Sequence, residues 1–211
     1  MKLLPALLRQ RLHHFACGSF IYDMSLGHDV PEGLVVALRA LWPGQADTGR
    51  ALCAAVPEPF WQAACYDGDV AAAPHDFSWL ADLRALGGDP ARRQARELIS
   101  VWIRRHGHWS AREWAPALTG RRLYHWIAFY DFFGATADDA FLDDFFESMM
   151  RQARHLQRSM PGELRGMDFL HALRGLLFCQ LALPGQEAGL AATLDHLETL
   201  IKKLVLADGT F

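Results

Sequence analysis

From Phe77 onward the chain is cut at Gly87-Gly88, Gly107, Gly134, Pro161-Gly162 and Pro184-Gly185 into pieces of helical length. Several of these pieces open on a helix-start signal. Asp89-Pro90 places a capping side chain before a residue favoured in the first helical turn. Ser110-Ala-Arg-Glu113 has the form of a capping box, and Pro116 restarts the helical pattern. Thr136-Ala-Asp-Asp139 precedes Phe141, Leu142, Phe145, Phe146, Met149, Ala153 and Leu156, an apolar stripe at helical spacing. Asp138, Asp139, Asp143 and Asp144 crowd the start of that helix and Arg151, Arg154 and Arg158 its end, which suits the helix dipole and makes the charge run structural. Apolar–polar alternation of the strand type is scarce after residue 75. The pattern predicts six helices between Phe77 and Leu206: Phe77–Leu86, one opened by Asp89-Pro90, Pro116–Phe133, one capped at 136–139, Leu164–Leu183 and Gln186–Leu206. Short connections make neighbouring helices antiparallel. The expected fold class is all-α.

Residues 1–75 are less regular. A surface amphipathic helix is predicted over Leu3–Ala16, and a short one over Thr48–Val56 that Pro57-Glu-Pro59 ends. A short strand is expected near Trp61–Tyr66, with a turn at Asp67-Gly68-Asp69. The chain therefore reads as an irregular N-terminal arm, 1–75, wrapped on a helical body, 76–211. Its 211 residues suffice for a sizeable core. The Leu3, Leu4, Leu7, Leu8 run is too short for a signal peptide, and no stretch is long and apolar enough to span a bilayer. A soluble protein is expected, with cytoplasm and periplasm both open.

Chemistry-bearing motifs are few. Cys17, Cys53, Cys65 and Cys179 form no CxxC pair and read as buried thiols. The ten histidines are scattered, with His13-His14 and His106-x-His108 the nearest to pairs. Neither a metal nor a cofactor is expected. One stretch stands out: Arg92, Arg93, Arg96, Arg104, Arg105, Arg112, Arg121 and Arg122, interleaved with Trp102, Trp109, Trp114, Tyr124 and Trp126. It suits either an anionic polymer or ordinary solvated helix faces. The net charge of −3 argues against nucleic acid. On Pro116–Phe133, Arg122, His125, Trp126 and Tyr130 are the candidate binding residues. If their face looks into a groove, Arg122 pairs with a carboxylate and Trp126 stacks on a sugar ring. If it looks inward, Trp126 is packing and Arg122 is salt-bridged.

The run Phe77-Ser-Trp79-Leu80-x-Asp82-Leu-Arg84-Ala-Leu-Gly87 resembles the N-terminal helical region of bacterial heparinase II/III-type polysaccharide lyases. So do Trp102-Ile-x-x-His106-Gly107, Trp114-x-Pro116, Arg122-Leu-x-x-Trp126 and Leu204-Val-Leu-x-Asp208-Gly209. The resemblance covers roughly Thr48 to Phe211 and implies an incomplete (α/α) toroid built of antiparallel helical hairpins. It implies β-elimination on uronic-acid-containing polysaccharides, with Arg122, His125, Trp126 and Tyr130 lining the groove. The family often has Asn at the place of His125. The family's catalytic segment, remaining toroid helices and β-sandwich follow the Asp-Gly element, so the chain is expected to be a truncated lyase, inactive alone, with its catalytic residues unassigned. The other reading is a non-enzymatic helical module that binds a protein partner or an anionic polymer.

Overall fold

In the computed structural model, residues 16–27, 30–63, 72–160 and 164–204 are described. The helix expected over Leu3–Ala16, save its last residue, lies outside them. So do His13-His14, Cys65, the turn at Asp67-Gly68-Asp69 and the Asp208-Gly209 element.

The described residues are helical, with no strand among them. Four short helices come first: α1 (Phe20–Leu26), α2 (Ala46–Cys53), α3 (Pro57–Ala63) and α4 (Ala72–His75). Then follow α5 (Leu80–Leu86), α6 (Gly88–His106), α7 (Pro116–Ala128), α8 (Tyr130–Phe133), α9 (Asp139–Ser159), α10 (Gly166–Ala182) and α11 (Leu190–Leu204).

Several boundaries follow the sequence signals. Asp138 caps α9, its side chain accepting from the Phe141 N–H at 2.8 Å. Pro116 opens α7. Other boundaries differ for local reasons. Pro57 starts α3 instead of ending a helix, because a missing N–H costs nothing in a first turn. Of the strand expected near Trp61–Tyr66, residues 61–63 belong to α3 instead, with Trp61 fully buried, and residues 64–66 lie outside the described residues. The Ser110-to-Glu113 pair, Oγ to Oε2 at 2.6 Å, closes a turn ahead of α7 and does not cap a helix start. The expected Pro116–Phe133 helix breaks at Phe129 (φ −112°, ψ 5°), leaving α8 as a separate turn. The Phe77–Leu86 helix begins only at Leu80, after Phe77 takes a left-handed φ of 63°.

The core is an aromatic column. Trp61, Phe77, Trp102, Trp126, Phe133 and Phe145 are each fully buried. Phe77 packs edge-on to Trp102 and Trp126, and Trp126 meets Phe145 with ring centroids 5.1 Å apart. Each such ring takes a large apolar area out of water, the main stabilising contribution here.

A close backbone approach joins α7 and α10. A side chain on Gly175 would overlap the Gly120 backbone, and one on Gly120 would overlap the backbone of His171 and Ala172. Two glycines facing each other allow this crossing, so residues on either side of it share a rim.

The basic end of α9 clasps α1. Arg151 pairs with Asp23, Arg154 donates to the Leu26 carbonyl at 2.6 Å, and Arg158 donates to Ser25 Oγ at 2.7 Å. Tyr22 donates its hydroxyl proton to His155 Nδ1 at 2.8 Å. This arginine run therefore anchors an N-terminal element, a role beyond the helix dipole. On the last two helices, Met167, Leu194 and Ile201 remain exposed. No helix among the described residues is long and apolar enough to cross a membrane.

Candidate functional site

Arg122 of α7 is fully buried. Its Nε donates to Gln152 Oε1 at 2.5 Å, its Nη1 to the His75 carbonyl at 3.1 Å and its Nη2 to the Glu113 carbonyl at 3.0 Å. The guanidinium lies over the Trp102 ring, Cζ 4.2 Å from the centroid. The carbonyl and amide oxygens replace water around the cation. Burial pushes its pKa down to about 9, with Glu113 and Asp76 pulling upward, so it stays charged at neutral pH. Of the two cases left open by the sequence, Arg122 follows the inward one, but with neutral oxygens and an indole in place of a salt bridge. It ties α4, α7, α9 and the turn at 110–114 together.

Trp126 is core as well, and its Nε1 is buried without a hydrogen-bond partner. Tyr130 is half-buried and stacks on Phe145, centroids 5.9 Å apart; burial raises its phenol pKa. His125 is half-buried; its Nδ1–H donates to the Asp76 carbonyl at 2.7 Å, which leaves Nε2 as the titrating nitrogen. Burial lowers its pKa. The four residues thus share α7 and α8 but do not converge on one open face.

Beside Arg122 lies a pair the sequence did not single out. His75 Nδ1 accepts from Trp102 Nε1–H at 3.0 Å, which fixes the proton on Nε2. That Nε2 and the Nε2 of His106 are both buried without partners, and the two rings meet edge-on at 5.1 Å. Burial, then His106 and Arg122, push the His75 pKa down to about 4. Burial also raises the Glu113 pKa, but the Ser110 hydroxyl and the nearby histidines outweigh it and keep the carboxyl below its ordinary range. Nε2 of His75 carries a proton while Trp102 holds Nδ1, so it offers no lone pair to a metal. Among the described residues, no group of three or more His, Cys, Asp or Glu is placed to hold a metal ion.

A second constellation sits at the α7–α10 crossing. Arg121, Tyr124 and His125 follow helical i, i+3, i+4 spacing on α7, and Asp168, His171, Arg174 and Phe178 follow it on α10. The Arg174 guanidinium lies over the Tyr124 ring at 3.8 Å, and Tyr124 meets Phe178 edge-on at 4.7 Å. The Nε atoms of Arg121 and Arg174 are both buried without a hydrogen-bond partner. Burial, then Arg121 and Arg174, lower the His171 pKa.

The arginine-rich stretch does not form one basic surface. Arg93 pairs with Asp89, Arg96 donates to the Phe133 carbonyl and Arg105 pairs with Glu58. Trp102, Trp114 and Trp126 are all buried. What the sequence missed, His75, His171 and Arg174, lies in separate segments that only the fold brings to α7. Gly120 and Gly175 were the one signal available, since a glycine inside a helix has a packing reason.

The fold and these sites define a helical domain in which several charged groups join its own elements. The chain is 37% identical over 135 residues to FtsZ-localized protein C of Caulobacter vibrioides (strain NA1000 / CB15N), a match covering 64% of this chain and 23% of that protein. The match thus spans less than a quarter of that relative's length. No family model matches the chain. No solved structure matches it either.

This relationship overturns the expected kinship with heparinase II/III-type lyases, and with it the expected lyase function on polysaccharides, because the relative is named for its place with FtsZ. The physical reason is visible in the motifs that carried the resemblance. Phe77, Trp102, Arg122 and Trp126 are consecutive parts of one buried aromatic and guanidinium stack. Their spacing reports how helices pack and carries no information about a sugar.

Proposed function

We propose that this chain is a non-enzymatic helical module that acts by protein contact in an FtsZ-associated, cell-division setting. The observation that carries this reading is the 37% identity to FtsZ-localized protein C over 135 residues. The use of charged groups inside the fold supports it. Arg122 and His75 are spent on holding helices together, and the arginines of α9 on holding α1. A finer architecture belongs to the same reading: the helices from α5 to α11 form part of an incomplete (α/α) toroid of antiparallel hairpins, on which the arm of residues 1–75 rests. The succession of long helices with short connections supports it.

The test is the position of a fluorescent fusion of the chain in dividing Caulobacter vibrioides cells. A band coincident with FtsZ supports the reading. A uniform signal through all stages of division, from a fusion of intact length, contradicts it.

A further inference from the structure

Arg121 and Arg174 present an imbalance that the fold leaves open. Each is half-buried, so each has lost part of its water. Neither forms an ion pair or a hydrogen bond among the described residues, and the Nε of each is sealed from solvent without a partner. Elsewhere the chain treats this residue type differently: the buried Nε of Arg122 is bonded, at 2.5 Å, to Gln152. A buried donor on a cation, left unsatisfied, is costly, and two together repel.

The neighbouring carboxylates do not answer the need. Asp76 stands close enough to act on Arg174 and His171, but its Oδ1 accepts from the Ser78 N–H at 2.8 Å and neither guanidinium reaches it. Asp168, in the first turn of α10, is exposed and likewise forms no ion pair. Arg174 is held in place. Gly120 and Gly175 set the two helices at backbone contact, and the Tyr124 ring fixes the plane of the Arg174 guanidinium at 3.8 Å. An oriented guanidinium on α10 and a second one on α7, next to the glycine crossing, suit a planar or tetrahedral oxyanion, since a guanidinium edge offers parallel N–H donors.

We propose that Arg121 and Arg174, with His171 beside them, form a receptor for one oxyanion presented by a binding partner. Its chemistry is that of a carboxylate or a phosphate. The assignment to a partner rests on the proposed protein-contact function; the receptor itself does not. Bound oxyanion is held by the Nη donors of the two guanidinium groups, because both Nε atoms are sealed from solvent, and offsets the repulsion between the two cations. His171 is drawn into the change. An anion beside it favours the charged ring, so its pKa rises from the lowered value that burial and the two arginines impose.

The experiment is a titration of the full chain at low ionic strength, read from the Nε–H resonances of Arg121 and Arg174. The probes are inorganic phosphate and a capped Glu-Glu dipeptide, against chloride. A saturable downfield shift of both resonances, with either probe ahead of chloride, is expected. Tighter peptide binding makes the source a side-chain carboxylate, and tighter phosphate binding makes it a phosphorylated group. Arg174→Gln weakens binding by at least about tenfold, and Arg93→Gln, whose partner is Asp89, leaves it unchanged. If Arg174→Gln does not fold, Arg174→Lys keeps the charge, removes the fork and is expected to weaken binding too. No saturation ahead of chloride overturns the proposal. Localisation separates this from the broader reading. Oxyanion binding by a chain that never joins FtsZ sinks the function and keeps the receptor. Localisation without oxyanion binding does the reverse.

Discussion

The guanidinium of Arg122 lies 4.2 Å over the indole of Trp102, and the same indole donates its N–H to His75 Nδ1 at 3.0 Å. Trp102 thus joins a buried cation and a buried imidazole through its face and its edge. This unit is the polar centre of the core, and its parts come from α4, α6 and α7.

Removing the cation should be expensive. Arg122→Met leaves Gln152 Oε1 and the carbonyls of His75 and Glu113 without their donor. The expected loss is about 3 kcal/mol of unfolding free energy. Arg122→Lys also destabilises, because an ammonium cannot reach three separated acceptors in a plane. Urea denaturation with an unchanged slope measures this; a change under about 0.5 kcal/mol contradicts the account.

The histidines give the fold a pH dependence. With its folded pKa near 4 against an ordinary 6.5, His75 binds fewer protons in the folded state than in the unfolded state across that window. Stability is therefore full above pH 6.5 and falls as pH drops towards 4, by up to about 3 kcal/mol from this group. Burial lowers His106 as well, in the same direction. Thermal melts across this range should show the slope, and His75→Gln should flatten it. A melting temperature independent of pH between 6.5 and 4 contradicts this origin.

Two of the core tryptophans, Trp102 and Trp126, should separate under the same substitution. Trp102→Phe removes a hydrogen bond and the platform under Arg122, whereas Trp126→Phe removes an N–H that has no partner. Both lose similar apolar area. Trp102→Phe is expected to cost about 1–2 kcal/mol more, read from paired denaturation curves. Equal costs contradict the assigned role of the Trp102 N–H.

The glycine crossing offers a steric test. Gly175→Ala drives a methyl group into the Gly120 backbone and should cost more than about 2 kcal/mol. Gly33→Ala meets nothing within 4 Å and should be near neutral. The pair of melting temperatures decides it, and a neutral Gly175→Ala would show that the α7–α10 approach is looser than described.

The helices were legible because their signals are local. The Asp138 cap and Pro116 at the head of α7 are readable from a few neighbouring residues. What escaped the sequence depends on distant partners. Pro57 is a start or a stop according to which side of it the chain turns. The break at Phe129 lies inside an uninterrupted apolar pattern. Arg122 is charged, so nothing local announces that Gln152 and two carbonyls from other segments will surround it. Arg122 and Trp126 stand at helical spacing, but the face they share is the inner one.

Co-sedimentation of the purified chain with assembled FtsZ tests the central claim most directly. The account predicts that the chain pellets with the polymers in a saturable manner and stays in the supernatant without them. A chain that remains in the supernatant at every polymer concentration, while circular dichroism shows it to be helical and folded, would contradict it.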